Sequence, residues 1–154
     1  IQLWIHLIQL WRAMYTAAVL DQKSVDVLKK IVVENLSLQG FVFETKQGEP
    51  LPHHMTINLG TFDAKINNPE LIDKPTFLQI DSIFYCEKIG ACAANVTKCE
   101  CENQNINSTN KHKHITICIK PPAKPFDSNK LFESKSNVFK FKPIVLEAVI
   151  KEVK

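Results

Sequence analysis

The sequence predicts a mixed α and β chain whose strands are mainly antiparallel, and three observations carry that expectation. One stretch, residues 22–35 (QKSVDVLKKIVVEN), places apolar residues at helical spacing. Several others are short, rich in β-branched and aromatic residues, and alternate in polarity as half-buried strands do. Gly, Pro and Asn breaks separate them, yet no low-complexity linker divides the chain, so its 154 residues read as one domain after a short N-terminal extension.

That extension, residues 1–13, is an apolar segment set apart from the fold. Its first part, IQLWIHLIQLW, puts Gln2, His6 and Gln9 at helical spacing, which fits an amphipathic helix. It is too short to cross a bilayer and Arg12 closes it, so no stable membrane insertion is expected. A leader remnant, a surface or partner helix and a fused segment all fit it.

Within the domain, 14–154, Tyr15–Leu20 (YTAAVL) suits a strand and Asp21 a helix N-cap. Val25, Leu28, Ile31 and Val32 then share one face of the helix over 22–35. Residues 38–45 (LQGFVFET) have strand composition, and Gly48-Glu49-Pro50 breaks the chain after them. His54–Leu59 (HMTINL) alternates clearly as a strand. Residues 76–86 form a longer one, turned at Lys88-Ile89-Gly90 onto a partner at 91–96. The Asn-rich stretch 98–113 reads as an exposed loop. His114–Ile119 (HITICI) is a further strand, ended by prolines, and residues 128–134 suit a short helix. Pro143 argues against an uninterrupted central strand over 138–153.

The formal net charge of +3 permits an anionic partner without requiring one. Arg12 is the sole arginine, which argues against bidentate arginine recognition of phosphate and favours a diffuse lysine field. Five cysteines at irregular spacing do not form a paired framework, so reduced thiols in an intracellular protein are expected. Cys99-Glu-Cys101 lacks a second Cys or His pair at zinc-like spacing and is read as packing.

Two tetrads stand out: His54-Met55-Thr56-Ile57 and His114-Ile115-Thr116-Ile117. Both lie in expected strands, where residues i and i+2 point to the same face. His54 and Thr56 therefore point together, as do His114 and Thr116, with the apolar residues directed to the core. With eight threonines in the chain, a given histidine has Thr two places on by chance about 5% of the time, and two of five doing so is roughly a 3% event. Histidine titrates near neutrality and can take a proton from a nucleophile or give one to a leaving oxygen. Threonine hydroxyls can donate to non-bridging phosphate oxygens and stabilise charge gained in the transition state. Either motif alone fits an ordinary solvated strand. Side by side, the two make a cradle for one phosphate.

The tetrads resemble the signature of the two-histidine (2H) phosphoesterase superfamily, which carries two His-x-Thr/Ser-x motifs. The resemblance implies an α+β fold of two pseudo-symmetric lobes, each an antiparallel sheet with outer helices, around a central catalytic cleft. It implies His54 and His114 as catalytic groups, Thr56 and Thr116 as phosphate-binding hydroxyls, and no metal or other cofactor. Within 124–129 (KPFDSN), Lys124, Ser128 and Asn129 are candidate substrate contacts, although a capped helix start explains that segment equally well. His53 and His112 are read as peripheral. The implied activity is hydrolysis of RNA 2′,3′-cyclic phosphate ends to a 2′-phosphate, by a monomer or a module of a larger RNA-repair protein. The alternatives are a phosphodiesterase of small 2′-linked or cyclic nucleotides, with Phe41, Phe43, Phe84 and Tyr85 as stacking candidates, and a non-catalytic module that binds RNA ends.

Overall fold

The computed structural model describes residues 15–154, so the helix expected within 1–13 lies outside the described residues. Seven strands and one α-helix follow in the order β1 (Tyr15–Leu20), α1 (Gln22–Asn35), β2 (His54–Leu59), β3 (Pro75–Cys86), β4 (Ala91–Cys101), β5 (Gln104–Asn105), β6 (His114–Ile119) and β7 (Asn137–Val153). Two 3₁₀ helices, η1 (Pro69–Leu71) and η2 (Pro125–Phe132), lie in the connections. Every strand pairing is antiparallel, in the order β3-β7-β1-β2-β6-β4-β5. Because β3 also pairs with β4, the sheet closes into a six-stranded barrel and β5 extends only the end of β4.

The closure has one thin seam. β2 and β6 share a single residue pair, Met55↔Ile115, whereas β3 and β7 share ten. Along the rest of β2 the loop before β6 takes over the bonding. Ser108 Oγ donates to the Thr56 carbonyl at 2.8 Å, and the Thr109 amide donates to the Ile57 carbonyl at 2.8 Å. A reciprocal pair anchors that loop, with Asn67 Nδ2 donating to the Asn107 carbonyl and the Asn107 amide to Asn67 Oδ1, each at 2.8 Å. The two halves of the sheet thus meet at a narrow contact.

Helix α1 matches the expected bounds. Asp21 caps it by accepting from the Ser24 amide at 2.8 Å. Ser24 Oγ in turn accepts the Glu147 amide at 2.9 Å, tying the first turn to β7. Leu28 and Val32 enter the barrel core, with Val25 and Ile31 flanking them. From the motif strands Met55, Ile57, Ile115 and Ile117 are fully buried in the same core, as alternation predicts.

Three local expectations need correction. Residues 38–45 do not form a strand: only isolated bridges occur, Val42↔Ile119 and Glu44↔Pro50. Gly40 turns the chain at a φ of 80°, and Phe41 and Phe43 pack on the core without a ladder beside them. The stretch 98–113 is not all exposed loop. β4 continues to Cys101, with Cys99 and Cys101 buried in the core while Lys98 and Glu100 pair on the outside at 3.2 Å. Finally, β7 runs unbroken through Pro143. The ladder passes from Ile80↔Ile144 to Ser82↔Lys140, so Pro143 sits in a local irregularity where no paired N–H is needed. All five cysteines are free thiols, four of them buried. No helix among the described residues is long and apolar enough to cross a membrane.

Candidate active site

The seam brings the two tetrads together. Antiparallel pairing of Met55 with Ile115 sets His54 across from Thr116 and Thr56 across from His114. A local two-fold relation therefore runs between Met55 and Ile115, and the two histidines lie diagonally over one patch of sheet. The symmetry extends further. Ile57 has no partner in the β1–β2 register, which steps from Thr16↔Asn58 to Ala17↔Thr56. Ile117 is likewise skipped between Cys92↔Cys118 and Ala93↔Thr116. Each tetrad thus ends in a bulge at its isoleucine, and a bulge bends the strand and re-aims the side chains beside it.

The histidines are held differently. His54 Nε2 lies 3.1 Å from Thr56 Oγ1, and its Nδ1 lies 2.9 Å from His53 Nδ1. The Tyr15 ring packs on it with centroids 4.8 Å apart. Burial, helped by His53 and then by His114, pushes the His54 pKa down to about 4, so the imidazole is neutral near pH 7. His114 is only 7% exposed and its Nδ1 lies 2.8 Å from the His112 carbonyl. A carbonyl can only accept, so Nδ1 carries a proton and Nε2 is the nitrogen left for chemistry. Burial pushes the His114 pKa down as well, while the His112 carbonyl works against that shift.

Ser128, on the buried side of η2, completes the second motif. Its Oγ lies 2.6 Å from the Pro125 carbonyl, 2.7 Å from Thr116 Oγ1 and 3.1 Å from His114 Nε2. The serine has one proton, and its shortest contact is to an obligate acceptor, so it donates to Pro125. Its oxygen is then free to accept from Thr116 and from a protonated Nε2. A doubly protonated His114 is fully hydrogen-bonded here, on His112 at one nitrogen and Ser128 at the other.

Of the residues singled out from sequence, His54, Thr56, His114 and Thr116 share the seam. Ser128 touches two of them, but it is fully buried rather than presented to solvent. Lys124 is exposed, and its amide donates to Asp127 Oδ2 at 2.8 Å, the capping arrangement that the sequence also allowed. Asn129 Nδ2 donates to the Phe126 carbonyl at 2.9 Å. Reading His53 and His112 as peripheral is corrected: one contacts the His54 ring and the other orients His114. Sequence reasoning also missed Tyr15 and Phe132, whose ring lies 5.3 Å from both the His114 and His112 rings. Phe41, Phe43, Phe84 and Tyr85 pack on core clusters. Lysines 88, 120, 130 and 135 line an open groove of about 880 Å³ on the flank of η2 that carries Asp127.

A closed antiparallel barrel with two His-x-Thr strands meeting at its seam has the architecture implied by the two-histidine phosphoesterase class. The chain belongs to the fungal tRNA ligase phosphodiesterase domain family, a branch of that class whose model matches residues 44–153. A crystal structure of a fungal RNA kinase shares the fold, with a TM-score of 0.55 at 16% identity. The match covers 88% of this chain and 45% of that one. No curated protein matches the chain.

Proposed function

We propose that the chain is a metal-independent phosphodiesterase that opens an RNA 2′,3′-cyclic phosphate to a 2′-phosphate, acting as a module of a larger RNA-repair protein. The observation that carries this reading is the Met55↔Ile115 bridge, which lays two histidines and two threonines symmetrically over one site. Membership in a family of tRNA ligase phosphodiesterase domains supports RNA as the substrate class. A 2′,3′-cyclic phosphate itself requires the ribose 2′-oxygen, which only RNA and ribonucleotides possess.

In this reading the phosphate sits over the seam, and its non-bridging oxygens accept from the Thr56 and Thr116 hydroxyls. Thr116 reaches the phosphate by giving up its bond to Ser128. His54, neutral at pH 7, takes a proton from the attacking water. The new P–O bond forms as the bond to the ribose 3′-oxygen breaks. His114 Nε2 delivers the proton that this leaving oxygen needs, and Ser128 stabilises that proton beforehand. The product carries a 2′-phosphate and a 3′-hydroxyl, and the two histidines exchange their proton states through solvent before the next turnover.

The test is turnover, in EDTA, of an oligoribonucleotide ending in a 2′,3′-cyclic phosphate. Activity is expected in the wild type, with losses of about 10²- to 10⁴-fold in His54→Ala and in His114→Ala. Full activity in either variant removes that histidine from the mechanism. Absence of turnover on any cyclic or linear phosphodiester would replace the enzyme by a module that only binds RNA ends.

A further inference from the structure

His53 and His54 meet through the same ring nitrogen: their Nδ1 atoms lie 2.9 Å apart, with the ring planes at 79°. At that distance one proton must lie between them, because two bare lone pairs would repel and two N–H groups would collide. That proton has two possible homes, and each dictates what the far side of His54 can do. If His54 carries it, Nδ1–H donates to His53 and Nε2 is bare. If His53 carries it, a neutral His54 accepts at Nδ1 and its own proton moves to Nε2. Only the first arrangement leaves a base at Nε2, the nitrogen that lies 3.1 Å from Thr56 Oγ1.

Among the described residues, His54 makes one side-chain hydrogen bond at each nitrogen, to His53 and to Thr56, while Tyr15 covers it by ring packing alone. His53 is itself anchored, since its carbonyl accepts the Leu20 amide at 3.0 Å and ties it to the end of β1. The second motif offers a parallel, in which His114 Nδ1 donates to the His112 carbonyl at 2.8 Å. In each motif a histidine one or two places upstream faces Nδ1, with its main chain at His114 and with its ring at His54. Thr56 then completes a one-way chain, its hydroxyl donating to bare Nε2 while His54 Nδ1–H donates to His53.

We propose that His53 is the positioning residue of the first motif: its ring accepts the Nδ1 proton of His54 and thereby holds Nε2 bare to take the proton of the attacking water. The proposal rests on the phosphodiesterase reading for the role of His54 as base, and it adds what sets the tautomer of that base. When the water's proton arrives at Nε2, His54 becomes an imidazolium whose Nδ1–H still points at His53, so neither ring turns during the reaction. The effect is distinct from charge repulsion, because it acts between two neutral rings.

The experiment reads the tautomer of His54 by nitrogen NMR at about pH 8, above the ordinary range of histidine, in the wild type, His53→Phe and His53→Asn. Phenylalanine keeps a ring and removes the acceptor, whereas asparagine places an amide oxygen where the ring Nδ1 stood. The wild type and His53→Asn are expected to hold the proton on Nδ1, the wild type with a through-hydrogen-bond coupling between the two Nδ1 nuclei. In His53→Phe the proton is expected on Nε2, the position an unrestrained histidine prefers. Its kcat on the cyclic phosphate oligonucleotide is expected to fall at least about 10-fold with KM unchanged, and His53→Asn to regain most of that loss. A wild-type His54 with its proton on Nε2 overturns the proposal without any variant having to fold. A His53→Phe protein in which either the tautomer or kcat is unchanged overturns it as well. Because the tautomer is read without turnover, a wild type with Nδ1–H but no activity fails the enzyme reading and not the hydrogen bond assigned to His53.

Discussion

Burial of His54 should make the fold sensitive to mild acid, by an amount the structure sets. An ordinary histidine titrates near 6.5, whereas His54 is pushed down to about 4, first by burial and then by His53 and His114. Above 6.5 the ring is neutral in both the folded and the unfolded chain, and no dependence on pH arises from it. Between 6.5 and 4 the unfolded chain takes up a proton that the folded chain refuses, so stability falls as the pH falls. Below 4 both states are protonated and the loss is complete. At about 1.36 kcal/mol per pH unit, the gap of 6.5 to about 4 amounts to about 3.4 kcal/mol in full and about 2.5 kcal/mol by pH 4.5. That is a large share of the roughly 5–15 kcal/mol that holds most domains folded. The assay is urea denaturation of the wild type and His54→Gln at pH 7 and pH 4.5. The wild type should lose about 2.5 kcal/mol more than the variant over that interval. Equal losses would show that His54 titrates as an exposed histidine, and the assignment of a neutral, buried base would fall.

Three further outcomes follow from the same contacts. His53→Gln keeps a hydrogen-bonding group beside His54 Nδ1 but removes a charge that opposes its protonation, so the His54 NMR titration and the acid limb of kcat/KM should move to higher pH; an unmoved limb would leave His53 without influence. Ser128→Ala strips a buried hydroxyl from the Pro125 carbonyl, Thr116 and His114, and should cost about 1–3 kcal/mol of stability in denaturant melts, with a further drop in kcat. Unchanged kcat would show that Ser128 serves packing alone. If His114 protonates the leaving oxygen, His114→Ala should lose far less activity on a p-nitrophenyl phosphodiester, whose leaving group needs no proton, than on a cyclic phosphate. His54→Ala should lose activity on both, and the reverse pattern would exchange the two roles.

The parts legible in the sequence are those fixed by local periodicity. Alternation gave the bounds of β2 and β6 and the shared face of each His-x-Thr pair, and the helical spacing of Val25, Leu28, Ile31 and Val32 gave α1. The alternation in Lys98-Cys99-Glu100-Cys101 is also present, but the polar composition of the following residues masks it, so the expected strand over 91–96 stops short of the true end of β4 at Cys101. Residues 38–45 show the opposite failure. Their composition suits a strand, yet no edge of the closed barrel is left there for them to pair with along their length.

The surroundings of the histidines could not be read locally. Tyr15 reaches His54 only because β1 pairs with β2, and Ser128 reaches His114 only because η2 folds back across β6. The bulges at Ile57 and Ile117 depend on partner strands, so the local two-fold relation of the site appears only once the barrel closes. His112 escapes sequence reasoning for a further reason: its contribution to His114 is a main-chain carbonyl, which every residue possesses.

The central claim is that the two motifs form one site acting on one phosphorus. Comparing kcat for His54→Ala, His114→Ala and the double variant on a 2′,3′-cyclic phosphate oligonucleotide tests it most directly. Groups that act as a unit in one step are strongly non-additive, so the double variant should be little slower than the slower single variant. Losses that multiply would mean two independently acting residues, and the shared cradle across the Met55↔Ile115 seam would be contradicted.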